Sequence, residues 1–143
     1  MEVSDVRKRV KEVIEHAKQA MSERRTLVDE ATREYEVFLD RIATPLFRQI
    51  GNVLRAEGHP FTVSTPGSSV RLVSDRSGHD YVELGLDTTG RQPQVIIHAS
   101  RSRGRRVTES EAPVGSGGGP VRDLTEDHVL DAVMKELAPL VER

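Results

Sequence analysis

"PFTVSTPGSSVRLVSDRSGHDYVELGLDTT", residues 60–89, is where the chain changes its period. Val82, Leu84 and Leu86 alternate with Tyr81, Glu83, Gly85 and Asp87, and a period of two sends the two sets to opposite faces of a β-strand. Ahead of this run lie two shorter stretches rich in β-branched residues, divided by Pro66-Gly67, a pair that favours a turn. DRSGHD (75–80) reads as the next turn and GRQP (90–93) as a third. QVIIHAS (94–100) then reads as a fourth strand and RRVTESE (105–111) as a fifth. Short turns between successive strands imply an antiparallel meander of four to five strands over 60–114, with one face buried.

Upstream the period is helical. Val3, Val6, Val10, Val13, Ala17, Ala20, Leu27 and Ala31 follow steps of three and four, interrupted only by Arg24. That is a coiled-coil-like seam over about four heptads, thin in content because it relies on valine and alanine. Beyond it Tyr35, Phe38, Ile42, Leu46, Phe47, Ile50, Val53 and Leu54 form a heavier apolar face, broad enough to close over the sheet. Pro45 has no N–H for the Arg41 carbonyl, and Thr44 before it suits an N-cap. The sequence therefore predicts a helix kinked or broken at 43–45, resuming over 45–57 and stopping at Gly58.

Downstream, GSGGGP (115–120) reads as a flexible linker. A helix follows over 125–141, with Thr125 as N-cap, Glu126 and Asp127 in its first turn, and Pro139 expected to shorten or bend its end. The fold class is α+β. Residues 1–43 form a long helix with the seam, and residues 44–143 form a small domain of helix, antiparallel sheet and C-terminal amphipathic helix.

Composition narrows the function. Three phenylalanines, two tyrosines and no tryptophan in 143 residues leave little for an aromatic-lined ligand pocket, which argues against a cofactor enzyme. A net charge of −2 means that any phosphate binding must come from a local patch. With no cysteine, disulfides, thiolate zinc sites and a cysteine nucleophile are excluded. The charged start MEVSDVRKRVKEV lacks the apolar core of a signal peptide, and no run approaches the roughly 20 apolar residues of a membrane span. A soluble, cytoplasmic protein is expected.

Few residues suggest chemistry. SRSRGRRVTE (100–109) places Arg101, Arg103, Arg105 and Arg106 around Gly104, at the expected tip of a hairpin. Guanidinium forks suit phosphate or carboxylate, although basic residues also protect exposed hairpins from aggregation. No aromatic residue stands nearby for bases to stack on. The histidines His16, His59, His79, His98 and His128 show no metal-binding spacing, and no metal or cofactor is expected. Nucleophile elbows and phosphate-binding glycine loops are missing. Glu83 and Asp87 share a strand face with Tyr81, where outward carboxylates are ordinarily solvated.

A helix over 3–43 would be about 60 Å long, more than the remaining chain can cover. The leading expectation is a non-catalytic protein–protein interaction or scaffolding module, a homodimer through its N-terminal helix, with an unknown protein partner as the other way to cover the seam. The alternative is nucleic-acid or phosphate-ligand binding through the arginine tip. An enzyme assembled from scattered residues ranks third.

Overall fold

The computed structural model describes residues 1–117 and 119–142. Helix α1 (Val3–Phe38) passes through a π-helical turn (Leu39–Ala43) into α2 (Thr44–Ala56). Five strands follow: β1 (Phe61–Ser64), β2 (Val70–Ser74), β3 (Ser77–Asp87), β4 (Gln94–Arg103) and β5 (Arg106–Pro113). A short 3-10 turn (Val121–Asp123) leads to α3 (Glu126–Val141). The strands form one antiparallel meander in the order β1-β2-β3-β4-β5. The α+β architecture read from the sequence is present, with five strands.

The irregularity expected at Pro45 takes an unexpected form. Thr44 has helical angles, φ −63° and ψ −47°, and its N–H donates to the Leu39 carbonyl five residues back. It is an interior helical residue and not an N-cap. The π turn immediately precedes the residue with no N–H to give, and its extra residue lets the helix pass that gap without stopping. The extra residue moves the buried face on by one position: Ala43 is fully buried where Ile42 is half-buried, Phe47 and Ile50 follow it into the core with Tyr35 and Phe38 ahead, and Val53 is left exposed.

These residues close over one face of the sheet. Val70 and Leu72 of β2, Val82 and Leu84 of β3, and Val95 and Ile97 of β4 meet them, and Val129, Val133, Leu137 and Leu140 of α3 complete the core. Gly51 sets the distance between α2 and the sheet: a Cβ there would lie 3.2 Å from Val63 Cγ2 and 3.4 Å from Leu72 Cδ1. A glycine in a helix gives up propensity, and here it gains close packing.

Two local expectations change, while α3 reaches its expected end at Val141. The turn after β2 is confined to Asp75–Arg76, because Ser74 pairs with Ser77 across a register shift at Val73/Ser74. Ser77 to Asp80 therefore belong to β3, and Asp80 is buried with its Oδ1 accepting from the Ser102 amide at 2.6 Å and hydroxyl at 3.1 Å. Pro139 lies inside α3, which continues two residues beyond it. The stretch read as a linker, of which Gly118 lies outside the described residues, is anchored at both ends. Val114 is buried and its N–H donates to the Val95 carbonyl at 2.9 Å, and Val121 is buried in the 3-10 turn. Thr125 caps α3 as expected, and His128 completes the box by accepting the Thr125 N–H on Nδ1 at 3.0 Å.

Candidate interaction surfaces

The first surface is the N-terminal half of α1. No residue before Ala31 is buried. Val3, Val6, Val10, Val13, Ala17, Ala20 and Leu27 are all exposed, Val3 by 75% and Val13 by 67%. Ile14 and Met21, absent from the seam as read, are exposed beside it and widen the stripe. Both follow a seam residue directly, at the flanking heptad position that a strict three-four count passes over.

Ala31, read as the last seam position, is corrected: it is buried in the core of its own chain and cannot serve a partner. Arg24 is explained as well. Its Nη1 donates to the Gly90 carbonyl at 2.8 Å and its Nη2 to the Thr88 carbonyl at 2.6 Å. The guanidinium thus clamps the β3–β4 turn to the helix. Glu34 adds a second tie, an ion pair with Arg122 at 2.9 Å. Helix α1 is docked from about Arg24 onward, and what precedes it projects from the domain.

The second surface is the hairpin tip. Gly104 and Arg105 form a two-residue turn with Arg103 directly opposite Arg106. Gly104 has φ +61°, while Arg105 is not in the left-handed region, the pattern of a turn that needs glycine at its first central position. Strand alternation puts Arg101, Arg103 and Arg106 on the face of the sheet that carries the core, because Val95, Ile97 and Ala99 precede them on that face. Arg105 sits in the turn itself. Arg103, Arg105 and Arg106 are exposed and Arg101 is half-buried. Among the described residues none of the four makes an ion pair.

The open face of the sheet carries a polar chain that individual motifs did not reveal. The Arg71 Nη2 lies 3.0 Å from Glu83 Oε2, and the Ser69 hydroxyl donates to Glu83 Oε1 at 2.6 Å. The Arg71 guanidinium carbon stands 4.0 Å above the Tyr81 ring. His98 meets that ring edge-on at 5.7 Å, and its Nε2 is 3.8 Å from Glu109. Arg71 opposes Glu83 across β2 and β3, and Tyr81 and His98 lie on adjacent strands, β3 and β4. The cross-strand register that joins them is legible only once the Asp75–Arg76 turn is fixed. Burial raises the Tyr81 phenol, with Arg71 pulling the other way.

Glu83 is thus committed to Arg71 and Ser69. Asp87 accepts from the Thr89 amide at 2.9 Å and hydroxyl at 2.6 Å, which lowers its pKa and fixes the turn. Glu83 and Asp87, which share a strand face with Tyr81, thus have separate structural partners and do not form an acid–base pair. Among the described residues no three histidine or acidic side chains gather as a metal site, and no helix is long and apolar enough to cross a membrane. Compared with known protein families, curated proteins and solved structures, the chain finds no match.

Proposed function

We propose that the protein is a non-catalytic interaction module that self-associates through the projecting half of α1. The observation that carries this reading is the apolar stripe from Val3 to Met21 on the part of the helix that its own domain leaves uncovered. Helices in proteins draw most of their stability from packing an apolar face, and burying the stripe against a second helix removes its valines, isoleucine and methionine from solvent at about 25 cal/mol per Å². The stripe is short and contains two alanines, so the pair is weak, with dissociation on the order of micromolar.

Light scattering over a concentration series tests the proposal. The expected mass rises from the 15.9 kDa of one chain toward twice that value. Val10→Glu together with Val13→Glu holds it at one chain, because charge on the seam cannot be buried unpaired. A wild-type mass fixed at one chain up to hundreds of micromolar, roughly a hundredfold above that constant, would refute it.

A second reading rests on the opposed pair Arg103 and Arg106. Like charges directly across a ladder destabilise it, and an anion between them relieves the cost. The anion is a phosphate group of a ligand or nucleic acid. Replacing Arg101, Arg103, Arg105 and Arg106 with glutamine then abolishes binding to a phosphate-rich polyanion. Binding that keeps its salt dependence in this variant excludes the tip.

A further inference from the structure

Resting on the self-association just proposed, we infer that the two helices pair antiparallel, with Val3–Ala20 of one chain lying along the same segment of a second copy in the reverse direction. At about 100° per residue, the seam residues Val3 to Ala20 centre within about 40° of the direction shared by Arg24, Ala31, Tyr35 and Phe38. Those four either clamp the domain or are buried in it. The stripe and the domain therefore occupy the same side of one long helix, the domain beginning where the stripe ends.

This arrangement decides orientation. In a parallel pair each helix runs alongside its partner at every level, so beyond Arg24 it would pass through the space filled by the partner's domain. In an antiparallel pair the partner's helix reaches its own domain only past the first chain's N-terminus, and nothing collides. The register also follows. Heptad packing sets first-position residues opposite fourth-position residues in an antiparallel pair. The register that uses the free segment alone sets Val3 against the partner's Ala20, Val6 against the partner's Ala17 and Val10 against the partner's Val13. The partner's first residue then stops near the level of Ser22, just short of the Arg24 clamp. Sliding by a further heptad would place Arg24, already bound to two carbonyls, in the seam.

Charge supports the same orientation. Residues 2–11 carry Arg7, Lys8, Arg9 and Lys11 against Glu2 and Asp5, a net +2. Residues 12–21, the stretch this register sets opposite, carry Glu12 and Glu15 against Lys18, a net −1. Antiparallel overlap lays the basic half along the acidic half, whereas parallel overlap stacks like on like. The occupant of the stripe is thus a second copy of this chain, to which the stripe is complementary when reversed.

The chain has no cysteine, so cross-links can be placed without background. Full-length Val3→Cys and Ala20→Cys variants are oxidised separately and as an equimolar mixture. In the antiparallel pair a thiol introduced at position 3 lies opposite the partner's position 20. It is about 25 Å along the axis from the partner's position 3, far beyond the roughly 7 Å Cα limit of a disulfide. The mixture is expected to yield a mixed disulfide dimer, and each variant alone is expected to stay unbridged. Bridging of Val3→Cys to itself would overturn the antiparallel orientation. A reduced mixture of dimeric mass that forms no mixed bridge on oxidation would overturn this register. A monomeric mass at all concentrations would instead defeat the self-association on which the inference rests.

Discussion

Tyr35 shows how much one side chain can report. Its hydroxyl donates to the Ser68 carbonyl, and burial, then the charge of Glu83, push its pKa up to about 12. The unfolded phenol titrates near 10, so the folded state holds the proton more tightly. The corresponding stability, on the order of 3 kcal/mol, is complete below about pH 10 and is lost as pH rises through about 12. With two tyrosines in the chain, an ultraviolet titration separates them. The last ionisation belongs to Tyr35, and Tyr35→Phe removes it while costing about 1 kcal/mol in denaturant unfolding. An upper step that persists in Tyr35→Phe would assign it to Tyr81 and show the Tyr35 phenol to be solvated. A second residue-scale test lies at the start of α3. Thr125→Ala strips the acceptor for the His128 amide and should lower stability by about 1 kcal/mol.

At the scale of elements, the periods of the sequence identified helices and strands but not their partners. Strand alternation over Tyr81 to Asp87 named the buried face of β3 correctly, since a period of two leaves no other choice. The turn ahead of it is shorter than local patterning implies, because Ser77, Gly78 and Asp80 are turn-forming types that lie in the strand. Asp80 is nevertheless held in the strand by its bonds to Ser102, twenty-two residues away, a contact that local patterning does not contain. Likewise the three-four count could not separate Leu27 from Ala31, because seam and domain share one helix face and only packing marks where one hands over to the other. Proline gave a similar result: it signalled an irregularity, but the tertiary hold of Phe38 and Phe47 on either side kept the helix continuous through a π turn. Arg24 supplies the element-scale prediction. Arg24→Ala removes two hydrogen bonds to the β3–β4 turn, and amide exchange at residues 88–91 should quicken by about tenfold, the equivalent of roughly 1.4 kcal/mol of local opening. Unchanged exchange there would mean that the turn holds itself.

For the molecule as a whole, the two halves of α1 have separate thermodynamic roles. Every buried side chain belongs to residue 31 or later, so the fold of the domain draws nothing from Val3 to Ala20 except through association. On the self-association proposed above, that separation makes stability depend on concentration in a definite way. At concentrations far below dissociation the melting temperature is the domain's own, and it should rise as the dimer fills, because binding that favours the folded state adds stability by mass action. Val10→Glu with Val13→Glu should remove the rise while leaving the low-concentration value within about 0.5 kcal/mol of wild type, the range of exposed substitutions. Thermal unfolding followed by circular dichroism in long cells at about 0.1 micromolar and by calorimetry up to about 100 micromolar, a span on both sides of that constant, reads both quantities in one series. A variant that melts lower even when dilute would place the first twenty residues inside the folding unit. A wild-type melting temperature independent of concentration would leave the stripe to a partner other than a second copy.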